Sequence, residues 1–277
     1  MADIGKLNTL KIAKAVDFGI YLDGGVLGEI LLPKRYIPAG AKVGDRIEVF
    51  LYFDSDDRLI ATTEKPLAMV GDFAYLKVKA VNAVGAFLDW GLSKDLLVPF
   101  REQHRPQMRE GHGYCVFLYL DAASRRIAAS AKLSKFLNTL PVPFVVGQEV
   151  GLLIYEKTEL GYKAIVENSH SGVLYKNEVF RDLALGQRIR GYIHKIREDG
   201  KIDLRLDKPG YGKVGYLTEA ILKQIADHGG FLEVTDRSSP AEIAALFGAS
   251  KKAFKMAVGA LYKQRLITIE ANGLRLV

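Results

Sequence analysis

Cysteine is almost absent from this sequence, since Cys115 is the only one among 277 residues. A single cysteine excludes an intrachain disulfide framework and any zinc site built from several thiolates, and it fits a reducing compartment. No hydrophobic run approaches the roughly 20 apolar residues that a membrane-spanning helix needs. The N-terminal residues also lack the charged and then apolar pattern of an export signal. We therefore expect a cytoplasmic protein with no membrane partner.

Motifs of catalysis and cofactor binding are missing as well. The five histidines are scattered without metal-ligand spacing, and no P-loop, G-x-S-x-G motif or Cys/His nucleophile pair occurs. Asp54, Asp56 and Asp57 are close in sequence, but successive turn residues point in different directions, which favours a solvated turn over a metal site. Residues 210–215 match G-x-G-x-x-G, yet no βαβ order follows, so we interpret these glycines as a linker. We expect no enzyme activity, cofactor or metal.

One pattern is instead repeated three times along the chain. Each copy has a strand that contains a glycine, a later strand that follows a second glycine, and a basic residue before the last strand. The three sets of landmarks are Gly19, Gly44 and Arg58; Gly85, Gly111 and Arg126; and Gly161, Gly186 and Lys201. The landmarks shift by 66, 67 and 68 residues between the first two copies, and by 76, 75 and 75 between the next two. Nearly constant offsets indicate duplicated units.

The repeats have the alternation of β-strands, and the C-terminal part has the periodicity of helices. Ile47, Val49, Leu51 and Phe53 alternate with residues of the opposite face, and about five short strands per copy suit a small closed barrel. After Pro209, helical stripes are followed by the capping-box pattern Ser239–Glu242 and a hairpin with Asn-Gly chemistry. The sequence predicts a mainly β protein with three tandem small closed barrels and an α/β winged helix, over 1–66, 67–138, 139–209 and 210–277.

The charge is unevenly distributed between these predicted domains. The net charge is +7, and basic residues exceed acidic ones by 10 to 6 over 67–137 and by 9 to 6 over 210–277. Residues 1–66 carry 9 basic and 10 acidic residues. An excess that clusters on particular modules favours an anionic partner.

Aromatic and basic side chains on the barrel strands are candidates for nucleic-acid contact. Aromatic rings stack on bases, and Lys or Arg neutralises phosphate. The candidates are Phe18, Tyr21 and Arg58 in the first copy, Phe87 and Arg126 in the second, and Tyr162, Lys163, Tyr175 and Lys201 in the third. The alternative is that these rings pack against neighbouring barrels, which is the role we assign to Phe50, Tyr52, Phe117 and Tyr119.

The repeats resemble the S-one type of OB domain, the RNA-binding module of a large ribosomal protein. The strands Phe18–Tyr21 and Val84–Phe87 are similar to its F-G-A-F-V strand, and Arg126–Ser130 is similar to its closing R-I-x-L-S. Residues 98–102 and 174–178 resemble its L-V-H-x-S-E segment. Pro33, Pro99 and Tyr175 stand where that family often has histidine, and Tyr175 keeps a ring that can stack.

The whole chain resembles the conserved virulence factor B family of bacterial RNA-binding regulators. The similar segments lie in the second half and include Tyr162–Val166, Thr235–Pro240 and Ser250–Lys255. This resemblance implies three S-one type barrels and a winged helix, RNA binding, an effect on gene expression, and no catalytic step.

The predicted helix over 250–263 opens a second possibility. Lys252, Lys255 and Lys263 lie opposite its apolar face and are candidate nucleic-acid contacts. Such a helix can enter a DNA major groove, although its exposed face lacks the Arg, Asn and Gln that usually read bases. The favoured hypothesis is a non-catalytic regulator that binds single-stranded RNA. The alternatives are a winged-helix regulator that binds duplex DNA, and an accessory protein of the ribosome or of RNA processing. Oligomeric state is left open.

Overall fold

The computed structural model describes residues 2–176, 179, 182–206 and 214–277, with the side chains of the last range from position 217. It contains three closed five-stranded barrels and a terminal domain with helices and a three-stranded sheet. The predicted mainly β architecture is confirmed. Two compact units make up the chain: Met1–Leu137 with Leu153–Tyr155 and Ala184–Gln187, and Asn138–Leu152 with Glu156–Leu183 and Arg188–Val277. The first unit contains the first two barrels.

The three barrels share one strand order. The first consists of β1 (Leu7–Val16), β2 (Gly19–Asp23), β3 (Glu29–Pro33), β4 (Arg46–Phe53) and β5 (Leu59–Thr62). The second consists of β6 (Phe73–Val81), β7 (Gly85–Asp89), β8 (Leu96–Pro99), β9 (Gly113–Leu120) and β10 (Ile127–Ser130). The third consists of β11 (Glu149–Thr158), β12 (Gly161–Val166), β13 (His170–Tyr175), β14 (Arg188–Ile196) and β15 (Ile202–Arg205). In each, the third and fifth strands pair in parallel, and the fifth strand lies between the third and fourth.

The glycine that begins the second strand of each barrel has a steric role. Gly19, Gly85 and Gly161 each pair across the ladder with Pro33, Pro99 and Tyr175, respectively. A Cβ atom at any of these glycines would collide with a carbonyl oxygen of the neighbouring strand, that of Leu32, Val98 or Leu174. The repeated glycine therefore permits a close approach between two strand backbones.

The alternation of β4 separates the interior of the first barrel from its contact with the second. Val49 and Leu51 belong to the core of the first barrel. Phe50 and Tyr52, on the other face of β4, belong to the core cluster of the second barrel, where Phe50 meets Trp90 edge to face at 5.6 Å. The expectation that Phe50 and Tyr52 pack between barrels is confirmed. In the first unit, the two barrels thus share buried apolar surface, which stabilises their association.

The strands of each barrel lie inside the ranges predicted for the domains, although the boundaries themselves stay predictions. The boundary at 209/210 and the first four residues of the proposed G-x-G-x-x-G linker lie outside the described residues. Asn177 and Glu178, the last two residues of the segment that resembles L-V-H-x-S-E, also lie outside them.

The C-terminal domain has the predicted helices and hairpin, and a short strand that was not predicted lies between the first two helices. Its elements are α1 (Val214–Asp227), β16 (Phe231–Leu232), α2 (Pro240–Phe247), α3 (Lys251–Lys263), β17 (Ile267–Ile269) and β18 (Leu274–Leu276). The Ser239 hydroxyl accepts a hydrogen bond from the Glu242 amide at 3.1 Å, and the Glu242 carboxylate accepts one from the Ser239 amide, so the predicted capping box is confirmed. Phe254, Val258 and Leu261 of α3 are buried, as predicted.

Across the described ranges, no helix has both the length and the apolar character needed to span a bilayer.

Candidate nucleic-acid interface

The three barrels place equivalent residues in one row across three neighbouring strands. In the first barrel the row is Tyr21, Leu31 and Ile60; in the second it is Phe87, Leu97 and Ala128; in the third it is Lys163, Val173 and Asp203. The basic residue of each repeat, Arg58, Arg126 or Lys201, comes just before the last strand of that row. The sequence offsets therefore correspond to equivalent positions in space.

In the second barrel, the residues of this row line a cleft of about 610 Å³. Its walls include the aromatic side chains of Phe87, Phe100 and Tyr119 and the exposed cations Arg101 and Arg126. Phe87 and Arg126, the two candidates predicted for this copy, are thus brought together at one site. An apolar cleft edged with a few polar groups is the usual form of a binding site, and rings beside guanidinium groups suit bases joined to phosphates.

The first barrel contributes one wall and an anchor to this cleft. Tyr52 and Phe53 line it from the first barrel, and the Lys94 ammonium donates hydrogen bonds to the carbonyl oxygens of Phe53 (3.0 Å) and Asp54 (2.6 Å). Burial, together with the nearby charge of Arg126, lowers the pKa of Lys94, although Asp57 and Asp54 act in the opposite direction. Lys94 therefore connects the two barrels at the edge of the cleft.

Tyr119 presents a neutral hydroxyl to the cleft. Burial raises its pKa, and the carboxylates of Glu102 and Asp121 raise it further. Its ring stacks on Phe136 at 5.8 Å between centroids. We expected Tyr119 to pack between modules. Its ring instead stacks on a residue from the range predicted for its own module, and it also lines the cleft.

The first barrel has an aromatic pair, but the cation beside it is Lys14 and not Arg58, the predicted one. Phe18 is 60% exposed and meets Tyr21 edge to face at 6.4 Å, and the Lys14 ammonium lies 4.8 Å from the Tyr21 ring centroid. Arg58 instead donates to the Asp54 carboxylate through Nε (2.9 Å) and Nη2 (2.8 Å) and pairs with Asp56 at 2.9 Å. Its guanidinium therefore holds the β4–β5 turn.

In the third barrel, the expectation that Tyr162 presents its ring to solvent is wrong. Tyr162 is only 5% exposed, and its hydroxyl accepts a hydrogen bond from the Leu183 amide at 3.4 Å. The reason is the pleat of β12. Counting from the strand glycine, Tyr162 corresponds to Ile20 and Ala86, which are buried, whereas Lys163 corresponds to Tyr21 and Phe87. The repeat itself contained the signal that assigns Tyr162 to the interior.

The remaining candidates of the third barrel participate in polar contacts within that barrel. Lys163 pairs with Glu156 at 2.9 Å, and Lys201 pairs with Asp199 at 2.7 Å. The Tyr175 hydroxyl donates to Asp203 at 3.3 Å and also contacts the Arg197 guanidinium. These side chains lie near the surface row, but acidic partners already balance the two lysines. Their role in binding stays a prediction.

The three lysines predicted on the winged helix are exposed. Lys252, Lys255 and Lys263 all lie on the solvent side of α3, and Lys255 pairs with Asp236 at 3.3 Å. Their contact with nucleic acid also stays a prediction.

Several side chains of the cleft were not among the predicted candidates. Phe100 and Arg101 follow Pro99, the residue opposite the strand glycine, and line the same cleft as Phe87. Arg101 corresponds to Arg35 in the first copy, since Pro99 corresponds to Pro33. Because this arginine is repeated, the sequence alone could have identified it as a candidate. The presence of Tyr52 and Phe53 in the cleft wall depends on how the two barrels pack.

Within the described part of the chain, no group of three or more His, Cys, Asp or Glu side chains is arranged to hold a metal ion.

Comparison with known families matches most of these domains. Residues 4–64 and 70–130 each match the S1 domain family, and residues 219–276 match the CvfB-like winged helix domain. YitL of Bacillus subtilis (strain 168) is 30% identical over 267 residues, which cover 94% of this chain and 89% of YitL. Conserved virulence factor B of Staphylococcus aureus (strain N315) is 23% identical over 85% of this chain and 80% of its own length.

A solved structure also aligns along the chain. It is a multidomain protein with nucleic acid binding domains from Streptococcus pneumoniae TIGR4, which is 24% identical and covers 99% of this chain and 98% of its own, with a TM-score of 0.44. At that score the superposition does not define a shared arrangement of domains.

Proposed function

Because this chain belongs to the conserved virulence factor B family, with S1 domains followed by a winged helix, we propose that it is a non-catalytic, cytoplasmic regulator that binds single-stranded RNA. Its domain families are nucleic-acid-binding ones. The choice of single-stranded RNA is the proposal.

The observation that carries this proposal is the cleft of the second barrel. Phe87, Phe100 and Tyr119 line it with rings on which an unpaired base can stack, and Arg126 lines it with a cation that can neutralise a phosphate. A paired base has its faces covered by its neighbours in the helix, so a stacking site of this kind favours a flexible single strand. The basic excess of the second copy, 10 residues against 6 over 67–137, supports the same assignment.

The other domains extend the bound strand. Phe18 and Tyr21 supply a second aromatic surface in the same unit, and the lysines of α3 supply phosphate contacts. Weak sites on one chain reinforce each other, because binding at the first raises the local concentration of the strand at the next. A single barrel is therefore expected to bind RNA much more weakly than the full chain.

Competition binding tests this proposal against the DNA alternative. The full chain is titrated with a labelled, unstructured oligoribonucleotide, and unlabelled RNA or duplex DNA of equal length is used as competitor over a series of salt concentrations. We expect RNA to compete better, with a log–log slope near −0.7 for each phosphate neutralised. A preference for a particular duplex DNA would instead favour operator recognition through α3 and would overturn the proposal.

A further inference from the structure

An ion pair between the first two barrels occupies the edge of the cleft. The Arg126 guanidinium contacts the carboxylate of Asp57, which belongs to the β4–β5 turn of the first barrel. Both side chains are about half exposed, at 53% and 50%. The cation expected to meet phosphate in the second barrel therefore already has an anionic partner, supplied by another domain.

The turn that carries Asp57 is held firmly in place. The Asp54 carboxylate accepts hydrogen bonds from the amides of Asp56 and Arg58, each at 2.9 Å, and from the Arg58 guanidinium. Burial acts to raise the pKa of Asp54, but these bonds outweigh it and lower the pKa overall. Lys94 of the second barrel binds the backbone of the same turn. Asp57 is thus positioned at Arg126 by both barrels.

The backbone of the turn does not require an acid at this position. Asp57 has φ +59°, and Arg125, the residue at the equivalent place in the second barrel, has φ +60°. The same left-handed geometry is therefore compatible with a basic residue, and asparagine adopts it more readily than most. The negative charge of Asp57 needs another explanation. Its ion-pair partner is Arg126, and its charge also acts on Lys94.

We propose that the Asp57 carboxylate occupies the phosphate subsite of the second barrel and competes with the phosphodiester of a bound strand for Arg126. Carboxylate and phosphate offer the same paired oxygens to a guanidinium, so one can replace the other. The inference rests on the proposed function. The internal anion weakens the binding of a ligand that offers only charge, because such a ligand has to displace Asp57 without the gain from stacking. It gives way to a strand that fills the cleft with a base and brings a phosphate to Arg126 together.

The exposure of the pair sets the size of the effect. Exposed ion pairs are weak, so loss of the competitor is expected to tighten RNA binding by roughly 1.5- to fivefold. The salt dependence changes as well. With Asp57 present, a phosphate that reaches Arg126 displaces the Asp57 carboxylate. The freed carboxylate then attracts a cation from solution, so the net release of counterions on binding is smaller than in a chain without Asp57. Without Asp57, the log–log slope should steepen by up to about 0.7.

The test compares two variants that each remove one negative charge from the same turn. Asp57→Asn removes the partner of Arg126, whereas Asp56→Asn, the matched control, removes a partner of Arg58. Binding of a fluorescein-labelled oligouridylate is measured by anisotropy over a salt series, for the full chain. We expect Asp57→Asn to bind more tightly with a steeper slope, and Asp56→Asn to stay close to the parent chain in both.

A double-mutant cycle identifies Arg126 as the site of competition. In the Arg126→Gln background, the gain from Asp57→Asn should disappear. A gain that persists there, or one no larger than that of Asp56→Asn, would overturn the competition, although RNA binding that depends on Arg126 would still support the proposed function. Failure of the parent chain and of Asp57→Asn alike to bind RNA would overturn both.

Discussion

Phe87→Ala separates a binding role from a packing role most clearly among the candidate residues. Phe87 is partly exposed on the outer face of β7 and lines the cleft, whereas its neighbour Leu88 is fully buried in the barrel. Removing an aromatic ring that stacks on a base costs about 1–3 kcal/mol. This corresponds to RNA binding roughly 5- to 150-fold weaker, since about 1.4 kcal/mol is a factor of ten. Because Phe87 lies outside the core, we expect little change in stability.

Leu88→Ala is the matched control on the opposite face of the same strand. It leaves a cavity in the core of the second barrel, at a cost of about 2–5 kcal/mol to folding. RNA affinity is measured by fluorescence anisotropy, and stability by thermal unfolding followed by circular dichroism. If Phe87→Ala lowers the unfolding midpoint like Leu88→Ala and leaves affinity unchanged, Phe87 is a packing residue and the reasoning is wrong.

Two further predictions concern the stability of the second barrel. Gly85→Ala should destabilise it by about 1–3 kcal/mol in urea unfolding, because the added Cβ collides with the Val98 carbonyl oxygen; an unchanged midpoint would contradict the close approach of β7 and β8. The pKa of Glu102 is raised by burial but lowered overall by hydrogen bonds from Ser130 (2.6 Å) and Lys135 (2.9 Å). Glu102→Gln should therefore lower the free energy of unfolding by about 1–3 kcal/mol. This difference should be complete above pH 4.5, the ordinary pKa of the group, and should disappear as the pH falls through the lowered pKa of Glu102 in the folded protein. A stability difference between the parent chain and this variant that stays constant on acidification would show that ionised Glu102 contributes nothing.

The sequence was sufficient to predict the barrels because their repeated landmarks have strict structural causes. The strand glycine faces a carbonyl oxygen, and the residue two positions later lies on the outer row in all three barrels. The same logic, applied strictly, assigns Tyr162 to the interior. The expectation for Tyr162 is wrong because an aromatic residue at this place in the repeat points into the barrel.

The sequence predicts that Phe50 and Tyr52 pack between barrels, but the residues that meet across the barrels could not be predicted in this way. Nothing within the second copy indicates that Tyr52 and Phe53 wall its cleft, or that Asp57 reaches Arg126. Arg58 and Arg126 occupy equivalent positions and have different partners, because one turn binds its own arginine while the other arginine receives an acid from a neighbouring domain. Residue type and spacing identify candidates, and packing between domains decides which of them meet a ligand.

The fluorescence of Trp90 provides the most direct measurement of where RNA binds. Trp90 is the single tryptophan of the chain, lies in the wall of the cleft and is only 2% exposed, so its emission reports on the packing of this wall. When the full chain is titrated with an unlabelled oligouridylate, we expect Trp90 emission to change and to saturate at the same midpoint as the anisotropy of labelled RNA. If the anisotropy saturates while Trp90 emission stays constant, bound RNA leaves this wall of the cleft unchanged, which contradicts the account.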